Sequence, residues 1–73
     1  MEIKLGIYEH YKGHKYRVIV VAKRSKTLED FVVCEALYDN ELSKFWVWAK
    51  ETFLEDVEVE GQKVPRFKFI SEV

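Results

Sequence analysis

Short runs of β-branched and aromatic residues, separated by single turn signals, make up most of this chain. The clearest run is 16–22, which reads Tyr-Arg-Val-Ile-Val-Val-Ala and follows Lys12 and Gly13. Residues of these types favour strands, and glycine accepts the positive φ that hairpin turns demand. The pattern therefore predicts a hairpin of two strands, over 7–11 and about 14–22.

A polar loop over 23–27 precedes a nearly continuous apolar run. We expect this run, about 30–38, to be a third strand that is buried on both faces. Asp39 and Asn40 then signal a turn.

The next segment supports two interpretations. Apolar residues recur there at the spacing of an amphipathic helix, namely Leu42, Phe45, Trp46, Ala49 and Phe53. The same segment contains Phe-Trp-Val-Trp at 45–48, a run rich in residues that strands prefer. The spacing slightly favours the helix, and the residues alone leave both interpretations open.

Strict alternation marks the last third of the chain. Acidic and valine side chains alternate over 56–60, and Gly61 provides a turn signal before a return strand over 62–70. Pro65 has no backbone donor, so this strand should lie at an edge or carry a bulge. The return strand carries Phe67 and Phe69 on one face and, on the other, Arg66 and Lys68, which we expect to oppose Asp56 and Glu58.

The composition fits one small β domain over residues 1–73. Hydrophobic residues make up 48% of the chain, and five Phe, four Tyr and two Trp supply volume for a core. A domain of this size buries only ~60% of the surface that its unfolded chain exposes, so its stability margin is narrow. The single cysteine, Cys34, excludes an internal disulfide and should be a buried, inert thiol. With no apolar run of the ~18 residues that a membrane span needs, we expect a cytoplasmic protein that does not bind membranes.

Charge is unevenly distributed along the sequence. Residues 1–26 hold seven Lys and Arg against two acids, and residues 27–73 hold five against eleven. In a small β fold we expect cross-strand pairs to cancel much of this asymmetry. The alternative is a basic face that persists in the folded protein.

The sequence offers no recognisable catalytic or metal-binding motif. His10 and His14 are four residues apart, but the turn at Lys12 and Gly13 should make their rings diverge. His10, His14 and Cys34 are not spaced with other Cys or His residues in a way that would give the four ligands of a tetrahedral metal site. We therefore predict no metal, no cofactor and no catalytic residue.

Aromatic and basic residues form the remaining candidate chemistry. They are His10, Tyr11, Lys12, His14, Lys15, Tyr16, Trp46, Trp48 and Arg66. Aromatic faces beside cations stack nucleobases or hold proline-rich peptides, although core packing is the more common role of such aromatics. If Trp46 and Trp48 lie on a strand, they share one face.

The order of these motifs resembles a small bacterial family, the domain of unknown function 1653. The resemblance covers about residues 6–70 and is carried by Gly-Ile-Tyr-Glu-His-Tyr-Lys-Gly at 6–13, Tyr-Arg-Val at 16–18, Val-Val-Cys-Glu-Ala-Leu-Tyr at 32–38, Trp46-Val47, Phe53 and Pro65-Arg66-Phe67. It implies an all-β fold, a small SH3-like barrel or roll of five to six short antiparallel strands. It also implies a strand over 45–48, with at most one helical turn near Lys50–Phe53.

The chain departs from the family pattern at two positions. The family commonly has a His-Ser-Glu-Thr loop, where this chain has Lys26 in place of the glutamate. The family strand usually reads Trp-Val-Arg-Pro, where this chain has Trp48 in place of the arginine. Loss of both charges argues against a shared catalytic mechanism that needs them.

Four functional hypotheses follow. The leading one is a non-enzymatic binding module for an unknown protein or peptide, with a ligand surface of His10, Lys12, Tyr38, Trp46 and Arg66. The second is sequence-tolerant nucleic-acid binding through the basic N-terminal part, which would weaken steeply with salt. The third is an enzyme accessory domain that uses His10 as an acid–base group. The fourth is a homo-oligomer that pairs edge strands, for example through Pro65.

Overall fold

The computed structural model of the chain describes residues 3–72, which form two antiparallel sheets and one helical turn. The elements are β1 (Gly6–His10), β2 (Lys15–Lys23), β3 (Asp30–Ala36), β4 (Phe45–Ala49), α1 (Lys50–Phe53), β5 (Asp56–Val59), β6 (Gln62–Pro65) and β7 (Phe67–Ser71). One sheet has the order β4-β3-β2-β1-β7, and the other pairs β5 with β6. The predicted all-β fold and the predicted helical turn are both confirmed. Across residues 3–72, no helix has the length and apolar character to cross a membrane.

The core lies on one face of the five-stranded sheet. Along β3, Val32, Cys34 and Ala36 are buried, and the residues between them are half-buried. This alternation follows from the strand geometry, which turns every second side chain toward the core. The second face of β3 is therefore not fully buried, contrary to the sequence expectation. The buried side chains among the described residues are Tyr8, Tyr16, Val18, Val32, Cys34, Ala36, Phe53 and Phe67.

The segment with two interpretations is a strand followed by one helical turn. β4 pairs with β3 so that Trp46 lies opposite Cys34 and Trp48 lies opposite Val32. Because both partners are buried, the two indole rings also face the core and share one side of the strand. α1 begins directly after β4 and brings the buried Phe53 into the core.

The predicted return strand is divided at Arg66. β6 ends at Pro65, and β7 begins at Phe67. Between them, the backbone N–H of Arg66 donates to the carbonyl oxygen of Glu55 at 3.0 Å. β6 pairs with β5, whereas β7 leaves this hairpin and pairs with β1. Residues 3–72 therefore contain seven strands, where the sequence predicted five to six.

This division also changes which charges face each other. In the β5–β6 hairpin, Glu58 lies opposite Lys63. Lys68 instead lies opposite Glu9 of β1. The predicted opposition of Arg66 and Lys68 to acidic residues of β5 is wrong, because β7 pairs with a different strand.

Cross-strand ion pairs reduce the charge asymmetry of the sequence. Between β2 and β3, Arg17 contacts Glu35 at 3.2 Å and Lys23 contacts Asp30 at 2.8 Å. The hydrogen bond from Lys23 lowers the pKa of the exposed Asp30 carboxyl. The expected partial cancellation by cross-strand pairs is confirmed for these two basic residues.

Cys34 is a buried thiol, as predicted. Its side chain is 0% exposed. Burial raises the pKa of the thiol to about 12, so its reactive thiolate form is scarce at neutral pH.

Candidate functional site

The turn between β1 and β2 sends its two histidines in different directions. The backbone N–H of His10 donates to the carbonyl oxygen of His14, and the N–H of Gly13 donates to that of His10, both at 2.7 Å. Gly13 has a φ of 103°, a value that residues with a side chain rarely adopt. The predicted divergence is confirmed, since the His10 ring packs against Phe67 and the His14 ring packs against Tyr38.

An aromatic cluster surrounds His10. Its ring centroid lies 4.6 Å from that of Tyr11, 4.9 Å from Phe67 and 5.9 Å from Trp48. β1 brings His10 opposite Phe67 of β7, and the indole of Trp48 reaches both rings from β4. We call these four rings, with the adjacent Arg66 side chain, the hairpin cluster.

His10 is held in one neutral form. Its Nδ1 accepts a hydrogen bond from the backbone N–H of Lys12 at 3.2 Å, so this nitrogen carries no hydrogen. Burial lowers the pKa of His10, and the positive charges of Arg66, Lys12 and His14 lower it further. In the neutral ring the hydrogen therefore lies on Nε2, which makes that atom a donor.

Two other donors of the hairpin cluster are buried without an acceptor. Within residues 3–72, neither Nε1 of Trp48 nor Nε of Arg66 has a hydrogen-bond partner. The guanidinium of Arg66 contacts Glu55 only through Nη2, at 3.4 Å. A buried donor without a partner costs about 1–3 kcal/mol, so two of them in one cluster are an unusual feature for a small domain.

A groove adjoins the hairpin cluster, between the β1–β2 hairpin and the β5–β6 hairpin. Its volume is about 510 Å³, and its lining residues are Glu9, His10, Tyr11, Gly13, Val59, Val64, Pro65 and Lys68. We call this feature the hairpin groove. It has an aliphatic floor from β5 and β6, an aromatic wall from His10 and Tyr11, and the opposed charges of Glu9 and Lys68. Lys12 lies beside it, with Nζ 5.8 Å from the centre of the Tyr11 ring.

Tyr38 and Trp46 lie away from the hairpin groove. The Tyr38 ring packs on His14 at 4.1 Å, and its hydroxyl shares a hydrogen bond of 2.8 Å with that of Tyr16. Burial, followed by this hydrogen bond, raises the pKa of Tyr16. Trp46 donates from Nε1 to the carbonyl oxygen of Ser43 at 3.0 Å. Tyr38 instead lines a second cavity of about 340 Å³.

The five residues predicted for the ligand surface thus divide into two groups. His10, Lys12 and Arg66 lie close enough for the two cations to affect the pKa of the histidine. Tyr38 and Trp46 are not part of this group. The sequence marks Trp48 as a departure from the family pattern, but the lack of a hydrogen-bond partner for its indole depends on the tertiary structure.

Metal binding has no support in the geometry. Among residues 3–72, no group of three or more His, Cys, Asp or Glu side chains is placed to hold a metal ion. What the hairpin cluster offers instead is hydrogen-bond donors, next to a groove with apolar and charged walls.

Comparisons with known proteins identify relatives of the whole chain. The sequence profile of the family described as protein of unknown function (DUF1653) matches residues 6–69. A crystal structure of a protein belonging to DUF1653 from Bordetella bronchiseptica is similar to this chain, with a TM-score of 0.92 and 28% sequence identity. The similarity covers 99% of this chain and 92% of the other. The comparison with curated proteins finds no match.

Proposed function

The chain belongs to the DUF1653 family, and we propose that it is a non-enzymatic module that binds a peptide segment in the hairpin groove. The observation that supports this most is the lining of the groove, which combines aliphatic side chains with the polar side chains of Glu9, His10 and Lys68. Concave apolar surfaces with a few polar groups are the usual form of binding sites. The aliphatic floor provides contact area for an apolar side chain, and Glu9, His10 and Lys68 provide polar groups that orient the ligand.

A peptide fits the walls of the hairpin groove better than a nucleic acid does. Val59, Val64 and Pro65 give the floor an aliphatic character, whereas nucleobases stack on exposed aromatic faces. Nucleic-acid binding also needs several unpaired cations along one path. Arg17 and Lys23 of the basic N-terminal part are already paired with acids, which leaves fewer cations for phosphates.

The proposal is non-enzymatic because the groups around His10 are donors. Nδ1 of His10 already accepts from the Lys12 backbone, and the charges that lower the pKa of His10 are those of Arg66, Lys12 and His14. A histidine that exchanges a proton with a substrate is commonly oriented by a neighbouring group that accepts a hydrogen bond or a proton from the ring. Arg66 and the Trp48 indole do not accept protons at neutral pH.

Backbone NMR of the full chain tests this proposal. The probes are a pool of short peptides that combine apolar and acidic residues and, in a separate titration, single-stranded oligouridylate. We expect the peptide pool to shift the amide signals of Tyr11, Val59, Val64 and Lys68. Shifts confined to the cavity beside Tyr38, or a stronger response to the oligonucleotide, would contradict peptide binding in the hairpin groove.

A pair of matched variants locates the binding surface. Val64→Thr places a hydroxyl in the floor of the hairpin groove and should weaken peptide binding. Val47→Thr makes the same change on the exposed side of β4, where 61% of Val47 is accessible, and should leave binding unchanged. Equal loss in both variants would point to a general effect on folding and not to the groove.

The remaining hypotheses can be measured on the same samples. Edge pairing through β6, which ends at Pro65, predicts a dimer that sedimentation detects. The SH3-like form of the sheet and the cytoplasmic location stay predictions.

A further inference from the structure

We propose that the hairpin cluster is an oxyanion-binding subsite, in which a carboxylate or phosphate group accepts hydrogen bonds from Trp48, Arg66 and His10. This inference rests on the proposed function, since the subsite borders the hairpin groove and names the chemistry of its ligand. The oxyanion would provide a hydrogen-bond acceptor for the Trp48 indole and for Nε of Arg66, which have none within residues 3–72.

The two tryptophans of β4 give the clearest contrast. They lie two residues apart on the same face of one strand. Nε1 of Trp46 donates to the carbonyl oxygen of Ser43, whereas Nε1 of Trp48 is buried and has no acceptor within residues 3–72. Since a buried indole N–H normally finds a partner, the partner that the proposal assigns to Trp48 is an oxygen of the bound anion.

Arg66 adds charge to the same place. Its Nε is buried without a partner in the described part of the chain, while its Nη2 reaches the exposed Glu55 at the long distance of 3.4 Å. Hydrogen bonds from a guanidinium to an oxyanion are shorter and stronger than those between neutral groups. The side chain is 20% exposed, and in the proposed complex the anion replaces the long contact to Glu55.

His10 supplies the third donor. The backbone N–H of Lys12 occupies Nδ1, which leaves the hydrogen on Nε2. The ring lies 5.9 Å from that of Trp48, between centroids, and close enough to Arg66 that the arginine charge lowers the pKa of the imidazole. Three donors, from β1, β4 and the junction of β6 and β7, thus belong to one cluster, and an oxygen-rich anion is a ligand class that complements them.

The charge around the hairpin cluster is favourable for an anion but moderate. Arg66, Lys12 and Lys68 are basic, while Glu55 contacts Arg66 and Glu9 lies opposite Lys68. This net positive balance selects an anion over a neutral acceptor. Two sources carry the required group, an acidic side chain or terminus of a peptide and a phosphate, and the experiment separates them.

The test follows the indole and guanidinium N–H signals of the full chain by NMR. The protein is titrated with sodium phosphate and with sodium acetate at neutral pH, and sodium chloride at equal ionic strength is the reference. We expect the Trp48 Nε1–H and Arg66 Nε–H signals to shift and saturate with at least one of the oxyanions. The Trp46 Nε1–H signal, whose hydrogen bond is internal, should stay in place and serves as the control within the same molecule.

A matched pair of peptides then identifies the source of the anion. Peptides that differ only by glutamate or glutamine at one position are titrated in turn. If the ligand carboxylate occupies the subsite, the glutamate peptide shifts the Trp48 indole signal and binds about tenfold more tightly, the typical effect of one charge-assisted hydrogen bond. If phosphate is the natural group, phosphate shifts that signal and the two peptides bind equally.

Two conservative variants separate the subsite from simple packing. Trp48→Phe removes the donor and keeps an aromatic ring, and we expect it to weaken oxyanion binding about tenfold. The urea midpoint of Trp48→Phe should fall less than the loss of binding would suggest, because the removed N–H had no hydrogen-bond partner within residues 3–72. Trp46→Phe should change oxyanion binding less than about twofold while lowering stability, because it removes a satisfied donor.

Separate results overturn the two proposals. A Trp48 indole signal that stays in place with phosphate, acetate and the glutamate peptide refutes the subsite, and peptide shifts in the hairpin groove would then still support the binding module. An indole response to free phosphate without any peptide binding supports the subsite and refutes the peptide-binding function. A shift of the Trp46 signal equal to that of Trp48 also refutes the subsite, because it would reveal a non-specific salt effect.

Discussion

The hydrogen bond between the hydroxyls of Tyr16 and Tyr38 predicts an unequal response to two equal deletions. The two oxygen atoms lie 2.8 Å apart, and the rings meet edge to face at 5.5 Å. Tyr16 is 6% exposed, whereas Tyr38 is half-buried. Replacing either tyrosine with phenylalanine keeps the ring and removes only the hydroxyl.

The expected magnitudes follow from what each deletion leaves behind. Tyr38→Phe leaves the hydroxyl of the buried Tyr16 without its partner, which costs about 1–3 kcal/mol. Tyr16→Phe leaves the hydroxyl of Tyr38, which can turn toward water, so only the net value of the bond is lost, about 0.5–1.5 kcal/mol. The double variant leaves neither hydroxyl and should resemble Tyr16→Phe alone. The two substitutions are therefore non-additive, and the coupling energy should equal the Tyr38→Phe effect in size, about 1–3 kcal/mol.

Urea unfolding followed by circular dichroism measures these differences. The urea dependence of the unfolding free energy should be the same for all variants, because the surface exposed on unfolding hardly changes. Tyr11→Phe is the matched control, since Tyr11 is 38% exposed and its substitution should change the unfolding free energy by less than about 0.5 kcal/mol. A larger loss in Tyr16→Phe than in Tyr38→Phe, or additive single effects, would refute the reasoning from burial.

Three further predictions concern backbone geometry, pH and thiol chemistry. Gly6→Ala should destabilise the protein more than Gly13→Ala, because a Cβ at Gly6 would clash with the Ser71 carbonyl oxygen. Gly13→Ala introduces only the strain of a positive φ, about 1–3 kcal/mol. The urea midpoints of the two variants test this order. The pKa of His10 is lower in the folded protein than in the unfolded chain, where it is about 6.5. The contribution of His10 to the free energy of unfolding is therefore complete above this pH and declines as the pH falls below it, because the unfolded chain binds the proton first. His10→Gln should reduce this slope in urea titrations at several pH values, and an unchanged slope would contradict the assignment. Cys34 should react with a disulfide reagent only as fast as the protein unfolds, and rapid labelling of the native protein would contradict its burial.

The sequence pattern predicts a strand or a turn correctly where the signal lies within one short segment. The alternation in 56–60 and the turn signal at Gly13 correspond to β5 and to the first hairpin of the structure. The segment 42–53 shows the limit of this approach. Its helical spacing included Leu42, which is 83% exposed, and the strand is stabilised instead by cross-strand partners such as Cys34 opposite Trp46. These partners lie in a distant part of the sequence, so periodicity within one segment cannot reveal them.

The division of the last strand has a similar cause. Pro65 predicted an edge or a bulge, and β6 does end there within a two-stranded sheet. The sequence did not predict that the following residues would cross to β1. That crossing depends on Arg66, whose backbone bonds to Glu55 on one side and to Tyr11 on the other, at 3.0 Å and 2.9 Å. It places Arg66 at the junction of both sheets, beside His10, which no spacing along the chain indicates.

The candidate site is therefore recognised by which buried donors have a hydrogen-bond partner, and the types of its residues are not enough to identify it. Trp46 and Trp48 are equivalent in type, strand and face, so the alternation of the strand does not separate them, although only Trp46 matches the family pattern. They differ because the turn before β4 presents the carbonyl oxygen of Ser43 to the first indole, while the second lies among the rings of the first hairpin and β7. If the oxyanion subsite is correct, the useful signal in a protein of this kind is a buried donor whose acceptor is missing from the described chain. Such a signal requires the whole tertiary structure, since the partner could have come from any strand.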